Sequence, residues 1–195
     1  NLPAGGQKRA LFEQVKLLSQ KHTLDLYTLS STNESFLPLS PYVRKHETVP
    51  YTQPDHFPHS VLSIYFDLPK AYRQLAAKID SKKYDVVLVN PCYLTQAPYI
   101  LRYLTTRSVY YCCEPKREFY EKVPRISNRF TYLVTLPFRL PLKVIDRTNA
   151  RAATRVITCS HYAQEKLEKA YGVSPVINYL GVDTSLFRPT KDKKE

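Results

Sequence analysis

Asn90, Cys113, Glu114 and Ser160 stand at or just beyond the ends of apolar, β-branched runs, and Arg117 follows three residues after Glu114. An amide, a thiol, a carboxylate, a hydroxyl and a guanidinium can together hydrogen-bond the hydroxyl or phosphate groups of a ligand. In an open α/β sheet ligands gather beyond the carboxyl ends of the strands, so these five residues are expected to converge on one crevice. Gly5-Gly6 is a sixth candidate, because it opens a stretch of helical period that starts at Gln7. Glycine lets the backbone approach a ligand closely, and the N–H groups of a first helical turn lack intrahelical partners. The pair can therefore hold a phosphate or a hydroxyl, or it can be a plain turn.

Other chemistries find no support in the residues. His46, His56 and His59 have no Cys, Asp or Glu at a recognised ligand spacing, so no metal site is expected. The four cysteines, Cys92, Cys112, Cys113 and Cys159, lie in or beside strand-like runs, without a disulfide framework or a CxxC pair, which points to a reducing, cytoplasmic setting. The four glycines do not form the G-x-G-x-x-G turn of a dinucleotide-dependent oxidoreductase. No run is long and apolar enough to span a bilayer.

The elements that must position the candidates are written most clearly between Arg151 and Pro189. Thr154–Cys159 reads as a strand, Ser160 as an N-cap, Ala163, Leu167 and Ala170 as one face of a helix stopped by Gly172, and Pro175–Leu180 as a second strand buried on both faces. Strand, helix and strand in that order imply a parallel pair with a right-handed crossover. Further strands are expected at Thr23–Ser31, Tyr84–Asn90 and Ser108–Glu114. Helices are expected from Gln7 to about His22, from Ser60 to Lys82 with a break at Pro69, over Gln96–Thr105 and over Lys143–Ala153. Asn33–His59 holds five prolines and reads as a long connection. The whole is a doubly wound, mainly parallel, Rossmann-like α/β domain.

A net charge of +12 calls for an acidic partner: nucleic acid, anionic lipid headgroups or a phosphate-bearing small molecule. No nucleic-acid recognition motif is present, so nucleic acid is not expected. Lys122–Ile145 holds five basic residues and no acidic one, interleaved with aromatic and apolar residues and divided by Pro137 and Pro141. Such a segment either lies in an anionic headgroup layer, lines a groove for a lipid-linked phosphate, or packs as a helical hairpin whose aromatics are core.

From Ala153 to Pro189 the chain resembles the end of the N-terminal domain of family-4 glycosyltransferases of the GT-B fold, in the strand ending in Ser, the helix ending in Tyr-Gly-Val and the exit Gly-Val-Asp followed by Phe-Arg-Pro. Gly5–Leu18, Tyr84–Leu104 and Tyr110–Glu121 carry the resemblance further. It implies a transferase that moves a sugar, with retention and without a metal or other cofactor, from a nucleotide-diphosphate donor to a glycan or lipid-linked acceptor. It implies that Gly5 and Gly6 lie near the donor's phosphates, that Asn90, Glu114, Arg117 and Ser160 face the acceptor, and that Cys113 stands where the family often has a catalytic histidine; there it is either a weak partner for the acceptor or a small buried residue. It implies, finally, a strand ahead of Gly5, an acceptor-side domain over residues 1–189, and a charged linker at 190–195 toward a C-terminal donor domain.

Overall fold

The computed structural model describes residues 5–32, 34–120, 129–184 and 187–188, with the backbone alone over 129–135. Among the described residues six strands, β1 (Asp25–Leu29), β2 (Lys45–Val49), β3 (Val87–Val89), β4 (Ser108–Tyr111), β5 (Arg155–Thr158) and β6 (Val176–Ile177), alternate with the helices α1 (Gly6–Leu18), α2 (His59–Asp80), α3 (Arg117–Tyr120), α4 (Arg129–Arg151) and α5 (His161–Tyr171). Every strand pairing is parallel, and the fold is the mainly parallel, Rossmann-like α/β domain that the sequence implies.

The strands form two sheets, β1-β2 and β3-β4-β5-β6. Between them lies a cavity of about 670 Å³, walled by β1, β3, Val15 and Leu18 of α1, and Tyr72 and Leu75 of α2. Among the described residues β1 and β3 each pair on one side only. At one end of the slot they are tied together: the Tyr27 and Tyr84 hydroxyls meet at 2.8 Å and Tyr84 donates onward to Asp25. That junction holds the Asp25 carboxyl below its usual range, chiefly through the Arg44 guanidinium that also donates to it.

Several elements depart from their sequence pattern. β2 lies inside the proline-rich connection. Its residues KHETV alternate without an apolar run because it is an edge strand, and only Val49 is buried. α2 runs unbroken through Pro69, since Leu68, Ala71, Leu75 and Ile79 bury one continuous stripe on both sides of the proline; each large apolar side chain so buried contributes roughly 1.5–3 kcal/mol. α4 is one helix through Pro137 and Pro141 rather than a hairpin. The helix expected over Gln96–Thr105 is replaced by an antiparallel bridge between Cys92 and Gln96 and a 3-10 turn at Tyr99–Arg102. The strand expected over Pro175–Leu180 is limited to β6, with Val176, Tyr179 and Leu180 exposed rather than buried on both faces.

The β5–α5–β6 unit matches its local signals closely. The Ser160 hydroxyl accepts from the Ala163 N–H at 3.2 Å, and Gly172 ends α5 at φ 66, donating to the Glu168 carbonyl at 2.8 Å. The Tyr171 carbonyl left open there accepts from Arg151 Nε at 2.6 Å, a cation at the negative end of the helix. Ser160→Ala is expected to lower stability by about 1 kcal/mol through loss of the cap, read as a lower urea midpoint at unchanged slope. A midpoint equal to that of the parent would show that the cap is energetically silent.

Candidate functional site

Parallel strands deliver their carboxyl ends to one edge of the sheet, and Asn90, Cys113–Glu114 and Ser160 follow β3, β4 and β5 there. The Cys112 N–H donates to the Ile157 carbonyl at 2.9 Å, which carries the β4–β5 pairing one step past Tyr111 and sets Cys113 beside Cys159. Arg117 Nε donates to Glu114 Oε2 at 2.7 Å, and both side chains are close to half exposed, so the pair faces solvent. Behind this corner the Glu114 carbonyl accepts from Gln96 Nε2 at 2.8 Å and from the Cys112 thiol at 3.2 Å. The Ser160 hydroxyl oxygen is engaged as the cap of α5.

The same edge includes the start of α1. Lys8, in its first turn, is 3% exposed and donates to Glu34, just beyond β1, at 2.7 Å. Gly5 and Gly6 are exposed, with open space where a side chain would stand. Asn90 and Lys8 both line the slot between β1 and β3. The glycine pair thus belongs to the β1 side of the edge, whereas Cys113, Glu114, Arg117 and Ser160 belong to the β4–β5 side. Lys8 is buried although it carries a charge. A lysine at that position is held under by Glu34, a partner far along the chain.

Cys113 is half-buried, and burial pushes its thiol up to about 12, helped by the Cys159 thiol and the Glu114 charge and opposed by the Tyr111 hydroxyl. A thiol that holds its proton at neutral pH is a weak hydrogen-bond donor rather than a nucleophile or a base. Among the described residues no group of three or more His, Cys, Asp and Glu could hold a metal ion, and no helix is long and apolar enough to cross a membrane.

The family model of Glycosyltransferase Family 4 matches residues 4–186. The chain belongs to that family. Comparison with curated proteins and with solved structures gives no match.

Two positions behind the edge of this family-4 domain carry no signal in the sequence. Asp146 and Asn149, one turn apart on α4, are both fully buried. Asp146 Oδ1 accepts the Ala97 N–H and Oδ2 the Tyr171 hydroxyl, each at 2.8 Å, while Asn149 Nδ2 donates to the Ala97 carbonyl at 2.9 Å. Lys116 Nζ donates to the carbonyls of Leu94 at 2.6 Å and Tyr93 at 3.2 Å. Their spacing looks like that of any polar positions on a helix and a loop; only the distant carbonyl and amide partners distinguish them.

Burial lifts the Asp146 carboxyl from 3.8 to about 7, against the pull of the Ala97 N–H, Tyr171 and Lys116. The folded state therefore keeps a proton that the unfolded chain releases between those two values. The stabilisation is complete below about pH 4 and is lost as pH rises through 7. Asp146→Asn, neutral at every pH, is expected to gain on the parent across that window, by an amount on the order of 4 kcal/mol at most. Urea unfolding at four pH values between about 4 and 8.5 checks this, and a pH-independent difference would show that the carboxyl titrates elsewhere.

Proposed function

We propose that this domain forms the acceptor side of a retaining glycosyltransferase that moves a sugar from a nucleotide-diphosphate donor to a hydroxyl of a glycan or lipid-linked acceptor. The observation that carries the reading is the exposed Glu114–Arg117 pair at the carboxyl ends of β4 and β5 in a family-4 domain. A carboxylate accepts hydrogen bonds from sugar hydroxyls and a guanidinium donates to them or to a phosphate, so the pair can orient an acceptor without chemistry of its own. Asn90, Cys113 and Ser160 border that ground, Cys113 as a protonated thiol. Gly5 and Gly6 offer unpartnered N–H groups to the donor's phosphates.

In this reading the donor's diphosphate is held chiefly by a second domain reached through the Gly181–Asp183 exit, and the slot between β1 and β3 takes a further strand. At roughly 160 Å³ per strand residue, from the usual rise and the usual strand and sheet spacings, 670 Å³ corresponds to about four residues. The protein works at the cytoplasmic side of the cell, where nucleotide sugars serve as donors.

Transfer is assayed with the full-length protein and a panel of nucleotide sugars. Glu114→Gln is expected to lower kcat/KM by about tenfold to a hundredfold, the loss of about 1.4–2.8 kcal/mol of acceptor contact. Gly6→Val is expected to lower transfer with the melting temperature held, because no atom lies within 4 Å of the added Cβ. Full activity in Glu114→Gln would remove the acceptor assignment; full activity in Gly6→Val would remove the glycine loop.

A second reading, contact with an anionic membrane, is favoured by the outward face of α4, where Leu140 and Val144 are 56% and 65% exposed, and by the exposed Phe57, which stands edge-on to Phe138 of that helix at 5.7 Å. Two of the five basic groups already have partners on the domain. Arg139 pairs with Glu118 and Lys143 lies over the Tyr120 ring at 4.9 Å, while Lys122 and Arg125 lie outside the described residues. Apolar insertion carries the larger part. Liposome sedimentation is expected to show binding to anionic vesicles that drops several-fold in a Leu140→Asp, Val144→Asp double variant. Equal binding by parent and variant would rule the surface out.

A further inference from the structure

The Ala97 backbone is held on both polar groups by one turn of α4, through Asp146 and Asn149. Its neighbour Gln96 stands at φ 54, a left-handed conformation that costs a non-glycine residue free energy unless its surroundings fix it. The surroundings do so from three directions. Gln96 exchanges backbone hydrogen bonds with Cys92 at 2.9 and 2.7 Å, its carbonyl accepts from the Tyr110 hydroxyl at 3.0 Å, and its side chain donates to the Glu114 carbonyl at 2.8 Å. A connected path of hydrogen bonds and one peptide link therefore leads from Asp146 through Ala97 and Gln96 to Glu114. Lys116, two residues beyond Glu114, grips the same loop at Tyr93 and Leu94.

We propose that Asp146 is a positioning residue whose charge state sets the Pro91–Pro98 loop and, through Gln96, the Glu114 corner of the edge. The inference rests on the loop geometry and stands apart from the transfer reading.

Among the described residues five ionisable groups face the carboxyl: Lys116 from the segment after β4, Tyr110 from β4, Cys112 just beyond it, Tyr120 from α3 and Tyr171 from α5. Burial raises the three tyrosine hydroxyls and the Cys112 thiol, so they stay neutral where Asp146 titrates. Lys116 is the facing cation, its own proton loosened by burial. When ionised, Asp146 offers an acceptor to Ala97 and another to Tyr171. When protonated, it can donate to the Tyr171 hydroxyl, which turns to accept; the Ala97 N–H has no such freedom and is left with a neutral acceptor in place of a charged one. The grip on the loop weakens without breaking.

The test is a pH titration of the 195-residue chain by amide NMR. Ala97, Gln96 and Glu114 are expected to share one midpoint near neutrality, and Ala97 exchange protection to fall by roughly fivefold on the acid side, the difference between a charge-assisted and a neutral bond. In Asp146→Asn the common midpoint is expected to vanish. Should that variant fail to fold, Tyr171→Phe serves instead: it removes a donor that favours the ionised form, so the midpoint is expected to rise. Three amides without a shared midpoint, a midpoint that survives in Asp146→Asn, or one unmoved in Tyr171→Phe would each overturn the assignment. A purely structural Asp146 would alter stability and leave the Glu114 amide without a titration of its own.

Discussion

Parallel strands cannot be joined by a tight turn, so every connection in this chain must leave one end of the sheet and return to the other. All the strand carboxyl ends of a sheet therefore lie along one edge, and with them the segments that carry Asn90, Glu114 and Ser160. The β4–β5 pairing is where this constraint acts most strongly. Tyr110, Cys112 and Val156 at that pairing are buried in one core with Ala150 of α4 and Leu167 of α5, and the Glu114 corner of the edge lies directly beyond it.

That corner is held by polar groups inside an otherwise apolar core. A buried carboxylate is costly unless each of its lone pairs has work, and Asp146 shares its two oxygens between a backbone N–H and a tyrosine hydroxyl. The arrangement replaces a regular helix over Gln96–Thr105 with a bridge and a 3-10 turn, because Pro98 supplies no N–H and Ala97 already has both of its backbone groups bonded to α4. Local order is thus given up to connect α4 with the loops at the sheet edge. The same economy holds at the other side of the edge, where the burial of Lys8 is offset by Glu34, itself an acceptor for the Leu39 N–H at 3.1 Å.

The two sheets differ in how they are anchored. At the four-stranded sheet α5 packs on β6, and α4 packs on α5 and on the 3-10 turn Tyr99–Arg102, while β1 and β2 rest on α2 and on the hydroxyl junction of Tyr27, Tyr84 and Asp25. Family membership and the parallel architecture agree with each other, and the slot lies where that architecture leaves two strand edges facing.

The sequence by itself determined the α/β class, the family resemblance and the β5–α5–β6 unit, because those signals are local: a capping Ser160, the helical spacing of Ala163, Leu167 and Ala170, a Gly172 that adopts positive φ. It also placed Asn90, Glu114 and Ser160 beyond strand ends, since an apolar run followed by a polar residue reports where a buried strand stops. It did not reveal β2, whose edge position leaves only Val49 to bury, or the passage of α4 through its prolines, or that of α2 through Pro69, which packing on both sides of the ring decides. Nor did it reveal Lys8 as buried or Asp146 as the group beneath the loop. Each of those roles depends on partners 25 to 49 residues away, and periodicity carries no information about a hydrogen bond made across that distance; only the folded arrangement brings the partners together.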